Sequence, residues 1–331
     1  MRLEEKFKIE VASLITQQKL FKIEPDLAQP YCSWVCNSEK IMRIIQKLRK
    51  YFYKELSDEE LLLSIRKKDN KIVNAFLELS LIYFFAEHPP KLVELDAPKY
   101  LLRTKTRGEV KYMASLNALS IPKVNGKIMI KPNFVSIEGF PVTTDIKTLE
   151  TVVKKVRDSN PKNPLIIADG PSLFFDSEKV FERKDLLDLA KKYKIDLVNL
   201  NKEDYGYLFK DGQKIFIPRV LCGVDYLINL ANFKEHTTAK YSSAIKNHLG
   251  LVSPFQRLSL HHNNNFLVSM NKICMALRAN YHIIDCRKIL RGAQQKVYGG
   301  YEEKGNGFIF GENLKEVEGA ALKRFAKDEN I

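Results

Sequence analysis

The chain has 331 residues, 45% hydrophobic and 28% charged, proportions that exclude a disordered or fibrous protein. Its 54 Lys and Arg against 40 Asp and Glu give a net charge of +14. Residues 1–100 hold 17 bases and 15 acids, so the other 37 bases and 25 acids supply +12; residues 251–300 alone carry seven bases and one acid, Asp285. A localised basic surface points to an anionic partner, nucleic acid or a phosphorylated small molecule, although a generally lysine-rich surface would give the same count.

The opening MRLEEKFKIE places acids where the apolar core of a signal peptide would follow. Five scattered cysteines, an odd number, fit reduced thiols. Both features lead to the expectation of a cytoplasmic protein. Cys32 and Cys36 flank Trp34, the only tryptophan, and read as packing rather than as a metal site. Ile41, Ile44, Ile45, Leu48, Tyr51 and Phe52 recur at helical spacing. Ser57 and Glu60 make a capping-box pattern ahead of Leu61, Leu62 and Leu63. A third helix is expected from about Lys71 to Ala86, ending before Pro89-Pro90. Its apolar stretch carries Asn74 and Glu78 and is shorter than the roughly 20 residues that cross a bilayer. The diproline marks the expected boundary between a helical N-terminal region, 1–95, and an α/β core, 96–331.

Beyond residue 120, β-prone runs alternate with amphipathic stretches. Strands are expected at 127–131, 164–169, 195–199, 214–218, 224–229 and 281–285, and helices at 145–157, capped by Thr143 or Thr144, and 178–193. Gly299-Gly300 and Gly305-Asn306-Gly307 read as turns of a terminal hairpin ending at Phe308 to Phe310. Alternation of this kind predicts a layered α/β sheet with flanking helices, preceded by the smaller helical region. No P-loop, G-x-G-x-x-G or G-x-S-x-G motif is present, and His88 and His282 read as isolated structural histidines.

Several expected strands end in polar residues: Lys131 and Asn133, Asp169, Asn199 and Asn201, Asn229, and Asp285. In open α/β sheets ligands bind beyond the carboxyl ends of the strands, so these positions outline a candidate crevice; Asn and Asp also begin turns for purely local reasons. The densest chemistry lies in 232–250, which holds Lys234, His236, Lys240, Lys246, Asn247 and His248 with the hydroxyls of Thr237, Thr238, Tyr241, Ser242 and Ser243. Cations and rotatable donors in this density suit an anion. If Ser242 begins a helix, Lys246 follows it one turn later on the same face.

Lys131-Pro132-Asn133, Thr143-Thr144-Asp145, Asp169-Gly170, Lys234-Glu235-His236 and Lys246-Asn247 with Gly250 occur in the order typical of the domain-of-unknown-function family 362, which this stretch resembles from about residue 125 to 311. Many members of that family carry C-x2-C runs for iron–sulfur clusters. Here only the Cys32–Cys36 pair is present, so no such cluster is implied. Glu318 is the nearest counterpart of the family's late acidic residue. His236, Lys246 and His262, in the order His-x9-Lys-x15-His, are also similar to the lactate racemase type of nickel-pincer protein. That resemblance implies an acid/base role for His236, cofactor attachment for Lys246 and a nickel ligand in His262. The aspartate- and arginine-rich strand end of those proteins is replaced here by Lys131-Pro132-Asn133.

The sequence therefore leads to an enzyme, of isomerase or redox-associated type, acting on a small anionic or phosphorylated molecule. His236, Lys246 and His262 are its expected catalytic groups. Lys131, Asn133, Thr143, Thr144, Asp169, Lys234, Ser242 and Asn247 are its expected anion-binding groups, with no dedicated metal ligands and the cofactor undefined. Two alternatives are a basic nucleic-acid-binding protein using Arg103, Lys105, Arg107 and Lys111, and a non-catalytic maturation or assembly factor whose N-terminal helices dock a partner protein.

Overall fold

The computed structural model describes residues 34, 37–51, 55–66, 76, 79–80, 83–84, 92–104, 109–172, 177–236, 239–261, 265–296 and 299–326. Cys32, Cys36, His88, Pro89, Pro90, Lys105, Arg107 and His262, and most of the helix expected over 71–86, lie outside these residues. The chain divides into two compact units, Met1–Leu92 with Phe255–His262, and Val93–Pro254 with Asn263–Ile331.

In the first unit, helices α1 (Ser38–Tyr51) and α2 (Asp58–Arg66) pack together, with Ile44, Ile45 and Leu61 buried. The start of α2 is the reciprocal cap that the sequence implies: the Glu60 N–H donates to Ser57 Oγ (3.2 Å) and the Ser57 N–H to Glu60 Oε2 (2.7 Å). The Ser57 backbone N–H, and then the Ser57 hydroxyl, hold the Glu60 carboxyl below its ordinary pKa.

The second unit is built on one large sheet. Its elements in chain order are β1 (Val110–Ala114), β2 (Ile128–Lys131), α3 (Ile146–Ser159), β3 (Leu165–Asp169), α4 (Ser177–Phe181), α5 (Lys184–Tyr193), β4 (Asp196–Asn199), β5 (Tyr205–Lys210), β6 (Gln213–Pro218), β7 (Tyr226–His236), β8 (Lys240–Ser242), α6 (Ala244–Asn247), α7 (Pro254–His261, all but its first residue in the other unit), α8 (Phe266–Ala276), β9 (Tyr281–Arg291), β10 (Tyr301–Lys304), β11 (Phe308–Gly311) and α9 (Leu314–Phe325). The strand order is β1-β11-β9-β7-β2-β3-β4, with β10 added to β9 and β8 to β7. The five strands from β9 to β4 are parallel, and β1, β8, β10 and β11 join antiparallel.

Parallel strands covered on both faces need apolar side chains on both, and every residue of β2 and β3 is buried. One face packs Ile128, Ile130, Ile167, Ile228, Leu230 and Ile283 against Leu149, Val152, Val153 and Val156 of α3 and Leu186 and Leu189 of α5. The other packs Ala231, Phe233, Ile284, Cys286 and Ile309 against Leu314, Val317, Ala321 and Phe325 of α9. Each such side chain contributes about 1.5–3 kcal/mol of burial free energy, so the sheet position of every crevice residue is anchored from both sides. Among the described residues no helix is long and apolar enough to cross a membrane.

Four local expectations are corrected. The cap of α3 is Asp145, whose Oδ1 accepts the Lys147 N–H (3.2 Å), because Thr144 Oγ1 is engaged by the Asn133 N–H (2.8 Å). The helix expected over 178–193 is two helices, interrupted where Arg183 takes an extended conformation (φ −60°, ψ 127°). The run 214–218 leaves the main sheet to pair with β5 in a separate hairpin, turned by Asp211 (φ +50°) and Gly212 (φ +76°), the left-handed pair that a two-residue hairpin loop requires. The terminal hairpin forms between β9 and β10, with Gly299-Gly300 in its turn, but residues 305–307 make no second reversal: β10 pairs with residues 288–291 of β9 and β11 with 282–285, so the two lie one after the other along the same long strand.

Candidate functional site

β2 and β3 end at Lys131 and Asp169, while β7 and β9 run on past them for several residues. The register aligns Lys131 with Asn229, Asn229 with His282, and Asn232 with Asp285. Asn229 and Asp285 are therefore interior strand residues rather than strand ends; Asn229 stands level with Lys131 at the end of β2, and Asp285 three residues further on. Asn199 and Asn201 serve their own turn: Asn199 Oδ1 accepts the Asn201 N–H (3.2 Å) and Asn201 Nδ2 donates to Pro171 O (3.0 Å).

The first cluster centres on a buried ion pair. Lys131 Nζ lies 2.6 Å from Asp169 Oδ1, both side chains almost fully buried. Asp169 also accepts the Phe134 N–H (2.7 Å) and the Gly170 N–H (2.8 Å), which satisfies the lone pairs a buried carboxylate would otherwise leave bare. Lys131 further donates to Pro132 O (3.2 Å) and Asn247 Oδ1 (3.3 Å), and Asn247 Nδ2 donates to Asn229 Oδ1 (2.7 Å). Gly250 closes over the pair: a Cβ there would stand 2.2 Å from Asp169 Oδ1 and 2.7 Å from Lys131 Nζ. Gly250→Ala is accordingly expected to lower stability by about 1–3 kcal/mol, the usual cost of overpacking. Gly319→Ala, whose added methyl meets nothing within 4 Å on helix α9, should raise it slightly through helix propensity. Thermal melts of the two variants check both signs.

Behind this pair the His248 and His282 rings lie against each other at a tilt of 50°, with centroids 5.5 Å apart. His248 Nδ1 donates to Ala244 O (2.8 Å) and Nε2 accepts the Ala279 N–H (3.0 Å), an arrangement only the neutral ring can make. Burial pulls His248 down to about 4, and burial with the nearby His248 takes His282 well below the ordinary histidine value.

The second cluster surrounds Lys234. Asn133 and Thr144 interlock, the Asn133 N–H donating to Thr144 Oγ1 (2.8 Å) and the Thr144 N–H to Asn133 O (3.0 Å). Thr143 Oγ1 donates to Ser136 O (3.0 Å), Asn133 Nδ2 to Val142 O (3.0 Å) and Asn232 Nδ2 to Pro141 O (2.9 Å). These bonds hold the β2–α3 loop over Lys234, whose Nζ donates to Val142 O (2.8 Å) and, among the described residues, has no carboxylate at ion-pair distance. Burial, and then the positive charge of Lys246, pull its ammonium down to about 7; Asp169 and Glu138 act against the shift. Ser242 pairs with Lys234 across the β7–β8 ladder.

Lys246, on α6, is half-buried. His236 ends β7, where its Nδ1 accepts the Ala239 N–H (3.2 Å); in the neutral ring this leaves the proton on Nε2. Among the described residues no three His, Cys, Asp or Glu side chains are placed to hold a metal ion.

Two groups outside the expected site belong to this region. Glu318 lies buried on α9, where its Oε2 accepts the Ile245 N–H (3.0 Å), and burial pushes its carboxyl up to about 7. Its signal in the sequence is position: Glu318 falls within the apolar stripe of Leu314, Val317, Ala321 and Phe325. Arg287 donates to Asp285 (2.7 Å), Asp145 (2.9 Å) and Thr148 Oγ1 (2.5 Å), and its guanidinium stacks on Phe140 and Phe308. Nothing in its local sequence distinguishes Arg287, because all its partners but Asp285 are distant in the chain.

The fold is an α/β sheet in which the buried side chains of Lys131 and Lys234 lie at and beyond the carboxyl ends of the shorter parallel strands. The sequence model of the family described as Domain of unknown function (DUF362) matches residues 128–322, which span this sheet and both clusters. The chain belongs to that family. The lactate racemase apoprotein from Thermoanaerobacterium thermosaccharolyticum is similar in structure at a TM-score of 0.40 and 13% sequence identity, over 70% of this chain and 61% of that one. The chain thus spans less than two thirds of that protein. No curated protein matches the sequence.

Proposed function

We propose that the protein is an enzyme acting on a small anionic or phosphorylated molecule, held in the strand-end crevice by Lys234 and Lys246. The observation that carries this reading is Lys234: a fully buried ammonium with one neutral backbone acceptor and no carboxylate at ion-pair distance among the described residues. A buried charge without a counter-ion is costly. Lys131 is already matched by Asp169, whereas Lys234 and Lys246 repel each other, so an arriving anion would relieve the strain that burial and like charge impose. In this reading Lys131, Asp169, Asn247, Asn133, Thr143, Thr144 and Ser242 hold the two lysines in place. His236 serves as a proton-transfer group, its neutral ring carrying the proton on Nε2. Glu318 is a second group poised near neutrality.

Inorganic phosphate and pyrophosphate should raise the melting temperature of the wild-type chain and leave that of Lys234→Met unchanged. Lys234→Met by itself should melt no lower than wild type, since a buried unpaired cation is replaced by an apolar side chain of similar length. Lys246→Ala should lose the same ligand effect while its retention on a nucleic-acid column stays nearly constant. Equal stabilisation of all three proteins by phosphate would refute the reading.

A further inference from the structure

We propose that Glu318 is a positioning residue for the lysine site: its carboxylate, reaching across from α9, holds the start of α6 and so fixes where Lys246 stands. The proposal rests on the anion-binding reading and adds to it what places one of the two lysines. Helix α6 is a single turn, Ala244 to Asn247. A helix shorter than about 12–15 residues is marginal on its own in water, so one turn keeps its shape only through partners outside it. Its first N–H groups have no intrahelical acceptor, and Ser243, in the capping position, makes no side-chain cap bond. The acceptor comes instead from 73 residues further along the chain, where Glu318 Oε2 takes the Ile245 N–H at 3.0 Å.

A carboxylate among apolar neighbours is costly unless its hydrogen bonds are needed. Glu318 is buried on the face of α9 that also carries Leu314, Val317, Ala321 and Phe325. Those four side chains share a core cluster with Ala244, and Ile245 packs against it. Helix α9 thus gives α6 both an apolar seat and an acceptor for its first turn. The rest of α6 is tied to the crevice. Ala244 O accepts from Asn229 Nδ2 (2.8 Å) and His248 Nδ1 (2.8 Å). Asn247 accepts from Lys131 Nζ (3.3 Å) and donates Nδ2 to Asn229 Oδ1 (2.7 Å). Lys246 stands between Ile245 and Asn247, so its backbone is fixed by the Glu318 bond on one side and by the Asn247 bonds on the other. Losing the Glu318 acceptor leaves the start of α6 without its polar anchor, and the half-buried Lys246 loses its fixed position in the site.

The test follows α6 in variants of the full chain. Glu318→Leu fills the apolar site without an acceptor, Glu318→Asp keeps the charge but draws the acceptor back by one methylene, and Glu318→Gln keeps the reach without the charge. Hydrogen exchange of the Ile245 and Lys246 amides is read against the amides of β2 and β3. Acetic anhydride labelling of Lys246 is read against exposed Lys154 and Lys192. In Glu318→Leu and Glu318→Asp the two amides should exchange roughly tenfold faster, because a bond to a charged acceptor is lost. Lys246 should also label faster, with the sheet amides and the reference lysines unchanged. Glu318→Gln should match wild type. Inorganic phosphate should raise the melting temperature of wild type and Glu318→Gln, and lose that effect on the other two. Should Glu318→Leu fail to fold, Glu318→Asp carries the same comparison. Unchanged α6 exchange, acceleration spread equally over β2 and β3, or equal phosphate stabilisation of all the variants would overturn the proposal. If phosphate stabilises wild type while α6 exchange stays constant, the positioning role fails and the anion site stands. If α6 loosens as expected but phosphate does not stabilise even wild type, Glu318 places Lys246 and the anion-binding reading fails.

Discussion

Asp169→Ala is expected to destabilise the protein by about 3–5 kcal/mol, because it strands a buried ammonium without its partner. The carboxylate that would be lost sits 2.6 Å from Lys131 Nζ and also accepts the Phe134 and Gly170 N–H groups, so three buried donors lose an acceptor at once. Asp169→Asn, which can keep one or two of the backbone bonds but not the charge, should cost less. The informative comparison is the pair Lys131→Met with Asp169→Leu, which removes both charges. It should recover much of the loss, since the penalty comes from an uncompensated ion rather than from missing attraction. Urea unfolding of the four proteins measures the coupling. A double variant no better than the sum of its singles would mean that the two side chains act independently. Because the same pair abuts Gly250 and bonds Asn247, the variants should also disturb the placement of α6, on which Lys246 is carried.

The second large effect is expected from His248 on acidification. Its folded value of about 4 lies below the 6.5 of an unfolded histidine, so below pH 6.5 the unfolded chain binds a proton that the native ring refuses. The stability contributed by the neutral ring is complete above pH 6.5 and is lost progressively as the pH falls to about 4. The whole window amounts to about 3 kcal/mol at about 1.4 kcal/mol per pH unit. The cause is geometric as well as dielectric: a proton added at Nε2 would face the Ala279 N–H, a second donor, with Lys131 supplying like charge. Glu318 has the opposite sign. Raised to about 7, it contributes stability that is full below 4.5 and lost as the pH rises through 7, which masks part of the histidine effect in the wild-type curve. The contribution of His248 is therefore read from His248→Gln. The stability advantage of wild type over this variant should shrink between pH 6.5 and 4. A constant difference across that range would show that the ring does not resist protonation.

Local signals were sufficient for much of the core. β2 and β3 are short apolar runs stopped by Pro132 and by Gly170-Pro171; each is set by residues a few positions apart. The same holds for the Ser57–Glu60 cap, and for the order of the Lys131-Pro132-Asn133, Thr143-Thr144-Asp145, Asp169-Gly170 and Lys234-Glu235-His236 segments through which the family was legible. Pairing between distant segments was not available to such reasoning. An alternating run such as Ile215 to Ile217 shows that a strand forms but not which neighbour it takes, and the Asp211-Gly212 turn directed it to β5 rather than to the main sheet. Nor does composition state where a strand that continues past its neighbours will end. β7 and β9 extend to 11 residues because β8 and β10 pair along their far halves, and this extension carries Lys234 under the β2–α3 loop.

The sequence by itself determined the residue types of the crevice, the lysines, asparagines and histidines clustered from 229 to 250, and the α/β layering that brings strand ends to one edge. The tertiary structure decided which of those charges is matched. Lys131 meets Asp169 from a neighbouring strand, while Lys234 meets only a backbone carbonyl among its described hydrogen-bond partners. The physical reason is that a charge's free energy depends on its burial and on partners brought from far along the chain, and neither is encoded within a few residues of the charge itself.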